Sequence, residues 1–271
     1  MSKLDIYCTT IKYFKVLENL PSYITPVGLG ENIFPDHWIT EKNGINISNL
    51  NKYYAEFTMF YWMWKNKTKT LNKDDLIGSC QHRYLWLDKK YSNKQRPSIK
   101  SLYSQLLKVD NKNLYKNDVT VFSPIIFSKK NLLEDFEEVH KNFALRESIG
   151  FLNLSDRKKF QNHLLQNKLF SHNMFITNSA YFIEYCEAIF PWLDKCLKYC
   201  EQNKLLKGYN LRLPAFLGER FTSFWFSQFK KRHFLSFARL GSFFLSNKVN
   251  SIVNPLKLPF TFNQYPTIHK Y

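Results

Sequence analysis

The chain has 271 residues, 44% of them hydrophobic and 23% charged. That balance excludes a disordered tail, and at this length about 70–75% of the unfolded surface is buried on folding without disulfides or structural metal. Lys and Arg number 39 against 22 Asp and Glu, a net charge of +17, which calls for a partner of negative charge: nucleic acid, anionic lipid or a phosphate-bearing substrate.

The positive excess is concentrated. No Asp or Glu follows Glu219, whereas Lys230, Lys231, Arg232, Arg239, Lys248, Lys257 and Lys270 do. Five cysteines, Cys8, Cys80, Cys186, Cys196 and Cys200, are odd in number and form no CxxC pair, which argues against a disulfide framework or a zinc site and suits a reducing cytosol. Cys196 and Cys200, four apart on a helical stretch, read as buried thiols sharing a face. The first residues lead straight into a short apolar strand, so no secretory signal is expected, and no window approaches 18 uncharged apolar residues.

In chain order, residues 4–10 read as a first strand that ends in Thr9 and Thr10, small hydroxylated residues in a loop suited to a nucleotide. Residues 25–30 form a second extended piece; Gly28 and Gly30 lack the rest of a GxGxxG spacing. Residues 49–65 place Tyr54, Phe57, Tyr61 and Trp64 at spacings of three and four, the pattern of one amphipathic helix, with Glu56 inside it. Residues 75–80 and 118–124 read as buried strands followed by turns, and residues 131–146 and 155–167 as helices, the second capped by Ser155. A strand at 174–177 precedes a long helix at 180–199 that contains Pro191, and a further helix covers 215–232. Strands alternating with helices predict an α/β fold in one domain.

No Walker A loop, GxSxG elbow, HExxH, EF-hand or DxD occurs. What remain are polar groups at strand ends, where open α/β sheets place ligands. His82 and Arg83 follow a buried strand and would face its carboxyl edge, a position for a diphosphate; the plain alternative is a salt bridge beside a satisfied histidine. Glu56, in a helix crowded with aromatics, is a base candidate if desolvation raises its pKa; otherwise it is a surface carboxylate.

Several ordered motifs resemble one family. Asn46-Ile47-Ser48-x-x-Asn51-x-x-Tyr54-x-Glu56-x-Thr58-x-x-Tyr61-Trp62-x-Trp64-Lys65-Asn66 is similar to the opening motif of glycosyltransferase family 111, known before as a domain of unknown function and common in capsule and O-antigen gene clusters. Ile77-Gly78-x-Cys80-x-His82-Arg83-Tyr84, Asp118, His172-Asn173-Met174-Phe175-Ile176 and Arg212-x-x-Ala215-Phe216-Leu217-x-Glu219-Arg220 resemble its later segments in the same order. The likeness covers roughly residues 4–226. It departs at Gly44-Ile45, where the family has an acidic residue, and at Gln81-His82-Arg83-Tyr84-Leu85, where an arginine is lost or displaced.

The resemblance implies a GT-A-like nucleotide-sugar-binding sheet flanked by helices over residues 1–226. Residues 227–271 would then be a helical, basic and aromatic C-terminal extension packed on the same domain. It implies transfer of a hexose, galactofuranose in characterised relatives, from a uridine diphosphate donor to a bacterial surface glycan with inversion. Displacement at an anomeric carbon needs the leaving diphosphate's charge stabilised and the acceptor hydroxyl deprotonated. Glu56 and Glu219, in either order, and His82 are the catalytic candidates. Thr9, Asn46, Ser48, Asn51, Tyr54, Arg83, Asp118, Asn173 and Arg220 are the binding candidates. If Mn²⁺ or Mg²⁺ takes part, Asp118 is the best single ligand; with no DxD, the donors His82, Arg83 and Arg220 are the favoured alternative.

The expected partners are therefore a nucleotide-diphosphate sugar and a lipid-linked or oligosaccharide acceptor. The basic and aromatic stretch 224–244 suits the anionic inner face of a cytoplasmic membrane, or else a packed helix with a solvated basic face. A non-catalytic subunit of a polysaccharide assembly complex and a basic nucleic-acid-binding module are the rival readings. The latter has no RNA-recognition, homeodomain or zinc-finger pattern behind it, so nucleic acid is not expected.

Overall fold

The computed structural model describes residues 2–88, 103–239 and 261–262. Short β-branched and aromatic runs between polar turns form the strands β1 (Leu4–Thr10), β2 (Ile24–Gly28), β3 (Ile39–Thr40), β4 (Leu76–Gln81), β5 (Tyr84–Trp86), β6 (Val119–Phe122), β7 (Ile125–Ile126), β8 (Lys168–Leu169), β9 (Phe175–Asn178), β10 (Arg232–Leu235), β11 (Phe237–Arg239) and β12 (Thr261–Phe262). The α-helices include α1 (Asn51–Tyr54), α2 (Phe57–Asn66), α3 (Lys112–Lys116), α4 (Leu132–His140), α5 (Ala144–Ser148), α6 (Leu154–Leu164), α7 (Ser179–Gln202) and α8 (Leu213–Ser227).

The main sheet has the order β3-β2-β1-β4-β9-β6-β10. β1 runs parallel to β2 and β4, β2 to β3, and β10 to β6, while β9 lies antiparallel between β4 and β6. The carboxyl ends of β1, β4 and β6 therefore meet one edge, which is also the edge where β5 turns back from β4 and carries β11. β7 and β8 form a separate antiparallel ribbon.

Period-two alternation divides the core between the two faces of the sheet. Tyr7 of β1, Ile77 of β4 and Val121 of β6 join α2, α4, α5, α6, α7 and α8 in one cluster. Ile6, Cys8, Cys80, Phe122 and Leu235 face the other way, onto Leu17, Trp38, Trp86, Leu106 and Leu114. All five cysteines are free and buried, and Cys196 and Cys200 lie in the helix-side cluster. No helix among the described residues is long and apolar enough to cross a membrane.

This is the α/β architecture expected, with differences at element ends. The helix read over 49–65 is two, because Ala55 leaves helical space with φ 49° and ψ −128°. The one read over 131–146 is also two, broken at Lys141, whose φ of 55° ends α4. The cap of α6 is Asn153, which accepts from the Asp156 N–H at 2.9 Å, and Ser155 only bonds back to Asn153.

The largest difference lies at the C-terminal end. α8 stops at Ser227, and the basic residues lead into β10 and β11, which are strands of the main sheet rather than a helical extension. Of the stretch proposed for a membrane face, Phe224 and Phe226 are buried in the core. Residues 240–244 of that stretch, like Lys248, Lys257 and Lys270, lie outside the described residues.

Candidate active site

At the carboxyl edge of β1 and β4 lies a cavity of about 340 Å³, walled by Thr9, Thr10, Leu29, Asn51, Lys52, Ala55, Glu56, Gln81, His82, Arg83, Tyr84 and Arg212. Its position is the one open α/β sheets use for ligands. Three of its walls are cations, Lys52, Arg83 and Arg212, and its one carboxylate is Glu56.

Glu56 begins α2 directly after the Ala55 break. Its side chain is 19% exposed. Oε1 accepts from Asn173 Nδ2 at 2.8 Å, and Oε2 lies 3.8 Å from an Arg212 guanidinium nitrogen. Desolvation raises its pKa, opposed by the hydrogen bonds and Arg212 and reinforced by the nearby charge of Glu219. A carboxylate with one oxygen anchored, one facing a cavity and a raised pKa is equipped to act as a base.

Asn173 reaches Glu56 from a strained turn. His172 and Asn173 have φ of 71° and 50°, a left-handed pair that costs energy for non-glycine residues. Every side of the turn is held. Gln81 Nε2 donates to the His172 carbonyl at 2.8 Å, the Ser79 hydroxyl to the Asn173 carbonyl at 2.9 Å, and the His172 N–H donates to Glu219 Oε1 at 2.7 Å. The His172 ring stacks on Tyr84 with centroids 4.5 Å apart.

Glu219 thus anchors the turn and does not line the cavity. Its second oxygen accepts from Arg220 at 3.0 Å, and Arg220 donates to Asp135 at 3.0 Å. Arg220 is 8% exposed, and its two terminal nitrogens are held by Glu219 and Asp135, the pairing a buried cation requires, while its Nε is buried without a partner. The donor-binding role read for Arg220 is therefore not available to it. Gly218 sets the geometry: a Cβ there would come within 2.5 Å of the Phe57 ring, so α8 approaches α2 closely and brings Glu219 near Glu56.

His82 lies over Phe14, with centroids 5.2 Å apart, and its Nδ1 is 3.2 Å from the Thr9 carbonyl. A carbonyl only accepts, so Nδ1 carries the hydrogen in this assignment. Burial, helped by the Arg83 charge, pushes the imidazole pKa down to about 4 against the pull of the Thr9 carbonyl. A neutral ring with Nδ1 engaged presents Nε2 as an acceptor, which does not suit the phosphate-donor role expected of His82. Thr9 is buried, and its hydroxyl donates to the Cys80 carbonyl at 3.3 Å, holding the end of β1 against β4.

Among the other candidates, Asn51 lines the cavity and donates to the Ala55 carbonyl and the Thr58 hydroxyl at 3.1 and 2.9 Å. Tyr54 does not line it: the ring is wholly buried and its hydroxyl donates to Asp194 at 2.8 Å. Asn46 and Ser48 form a local turn outside the cavity, with Asn46 Oδ1 accepting from both the N–H and the hydroxyl of Ser48. Asp118 precedes β6 at the opposite edge of the sheet, where it accepts from the Lys231 N–H at 3.4 Å.

Asp118 therefore cannot serve a metal in this cavity. Among the described residues no three His, Cys, Asp or Glu side chains converge as a metal-binding group. One carboxylate beside three cations is a donor set that does not fit Mn²⁺ or Mg²⁺.

Sequence reasoning assigned no role to Lys52, Gln81, Tyr84, Asp135 or Arg212. For Arg212 a signal existed, since it opens the Arg-x-x-Ala-Phe-Leu motif; for Asp135 there was none.

A parallel-dominated sheet with helices packed on it and a cationic cavity at its carboxyl edge is a mixed α/β fold of the ligand-binding type. Its similarity to a solved structure titled "WbbM bifunctional glycosytransferase apo structure" agrees, with a TM-score of 0.70 at 19% sequence identity. The match covers 86% of this chain and 45% of the other, so the chain spans about half the length of that protein. The chain belongs to the family described as a domain of unknown function (DUF4422), whose profile matches residues 5–231. A search of curated proteins found no match.

Proposed function

We propose that this protein is a glycosyltransferase of family 111 type. It moves a hexose, galactofuranose by resemblance, from a uridine diphosphate donor to a bacterial surface glycan of the capsule, lipooligosaccharide or O-antigen kind, with inversion. The observation that carries the reading is Glu56, fixed by Asn173 inside a cavity whose other charged walls are Lys52, Arg83 and Arg212.

In the reaction the acceptor hydroxyl gives its proton to Glu56 Oε2 as its oxygen bonds to the anomeric carbon. The bond from that carbon to the diphosphate oxygen breaks with its electron pair, and the configuration inverts. The leaving charge is met by the guanidinium of Arg83 and by Lys52, cavity-lining cations that can donate to phosphate oxygens.

The acceptor in this proposal is a lipid-linked or oligosaccharide glycan met by the protein at an anionic bilayer surface inside the cell. Support comes from Ile126, Leu165 and Phe234, exposed at 57%, 56% and 45%. Lys168 stands opposite Ile126 in the β7–β8 ribbon, and Lys129 shares a depression with Lys168 and Leu165.

Calorimetry against uridine, guanosine, thymidine and cytidine diphosphates, their hexoses and a single-stranded oligonucleotide tests the reading, with product analysis on adding a glycan acceptor. Preference for one diphosphate by at least about tenfold, together with transfer, is expected. Binding of the oligonucleotide alone, collapsing as salt is raised, would show that the positive charge serves nucleic acid instead.

A further inference from the structure

One ionisable side chain beside the cavity has no part in the chemistry above. Glu41, just after β3, has no solvent exposure and forms no ion pair among the described residues. A buried, unpaired carboxylate is costly, so its surroundings define its role. Oε1 accepts from the Gly30 N–H at 2.8 Å, and Gly30 is a left-handed residue at φ 73°. The Glu41 N–H donates to the Gly28 carbonyl at 3.1 Å.

Oε2 is buried without a hydrogen-bond partner, and the Thr58 hydroxyl lies beside the carboxyl. That hydroxyl gives its own proton to the Ala55 carbonyl at 2.8 Å and accepts from Asn51 Nδ2 at 2.9 Å. It keeps one lone pair, and a protonated Oε2 would supply the missing donor. Leu29 on one side of this network and Asn51, Ala55 and Glu56 on the other are walls of the cavity.

We infer that Glu41 is a positioning residue: a neutral carboxylic acid that ties the Gly30 turn to the strained Ala55 turn through Thr58, and so fixes Glu56 where it meets substrate. Desolvation raises its pKa against the pull of the Gly30 N–H, Thr58 and Lys42, in keeping with the neutral form. The inference joins two observed hydrogen bonds, Gly30 N–H to Glu41 Oε1 and the Thr58 hydroxyl to the Ala55 carbonyl, through the bond that a protonated Oε2 would give to the Thr58 hydroxyl beside it. It rests on Glu56 being the base only for its effect on rate.

Glu41→Gln keeps both contacts, with the amide oxygen accepting from Gly30 and the amide N–H donating to Thr58, whereas Glu41→Ala removes both. Hydrogen exchange over residues 51–60, which needs no substrate, should quicken by about tenfold or more in Glu41→Ala and stay within about twofold of wild type in Glu41→Gln. In the transfer assay Glu41→Ala should lower kcat by about tenfold or more with the donor KM within about threefold, and Glu41→Gln should restore it.

If Glu41→Ala fails to fold, Glu41→Gln decides the matter, since exchange over residues 51–60 like that of wild type supports the inference and exchange quickened by about tenfold overturns it. The inference is overturned if the alanine variant folds with unchanged exchange and kcat, or if glutamine is as damaging as alanine. Absence of transfer by the wild-type protein would count against the proposed function alone, leaving the exchange result to judge Glu41.

Discussion

At Glu56 the same carboxylate is asked to be buried and to accept a proton, and its neighbours reconcile the two. Asn173 holds Oε1, so Glu56→Gln keeps the shape of the site, with the Gln oxygen still accepting from Asn173. The substitution should cut kcat by about 10²–10⁴-fold while donor affinity changes little, measured by initial rates and calorimetry. The effect on stability has a definite sign. A folded pKa raised above the unfolded one means that the stabilisation is present at low pH and is lost as pH rises through the folded value. Gln carries no such loss, so Glu56→Gln should unfold at no lower a urea concentration than wild type at pH 8. Glu56 was legible in sequence because a carboxylate among Tyr54, Tyr61, Trp62 and Trp64 stands out. Tyr54 and Arg220 were misleading because the partners that occupy them, Asp194 and Asp135, come from 140 and 85 residues away. No local pattern reports such a pairing.

Elements matter here through how closely they approach. α8 presents Gly218 to the Phe57 ring of α2, and Phe57 has no solvent exposure into which to swing. Gly218→Ala should therefore destabilise by about 1–3 kcal/mol in urea unfolding, even though alanine is the better helix former. It should also lower transfer, because it displaces Glu219 and with it the His172–Asn173 turn. Phe57→Leu in the same chain should recover part of the stability by clearing the overlap. The close approach was hidden in the sequence, where Gly218 is one small residue in an apolar helix. The Ala55 break was hidden for another reason: Tyr54, Phe57 and Tyr61 keep helical spacing across it, and hydrophobic periodicity does not register a single residue with positive φ. Strand positions were easier to read, since β1, β4, β6 and β9 are apolar runs bounded by turn residues and packed on both faces.

For the whole molecule the charge of +17 is only part of the electrostatic account, because three histidines are kept uncharged inside it. His82, His140 and His163 each have a pKa pushed down to about 4, with desolvation as the leading cause. A folded value below the unfolded one means that the unfolded chain takes up protons first as pH falls. Each histidine then lowers the unfolding free energy by up to about 1.4 kcal/mol per pH unit between about pH 6.5 and pH 4. Glu41, Glu56 and Asp135, all raised, act in the opposite sense, so a pH profile of the wild-type protein alone mixes the two. His163 separates them: it lies between the Ser223 and Ser227 hydroxyls at 3.2 and 3.3 Å, far in sequence from the carboxylates. His163→Gln loses some packing at every pH but cannot titrate. The stability gap between wild type and this variant should therefore shift by about 2 kcal/mol in the variant's favour between pH 7 and pH 5, read from urea unfolding at both. A gap that stays constant would mean that His163 takes up its proton at the same pH folded as unfolded, and the desolvated ring would have to be given up.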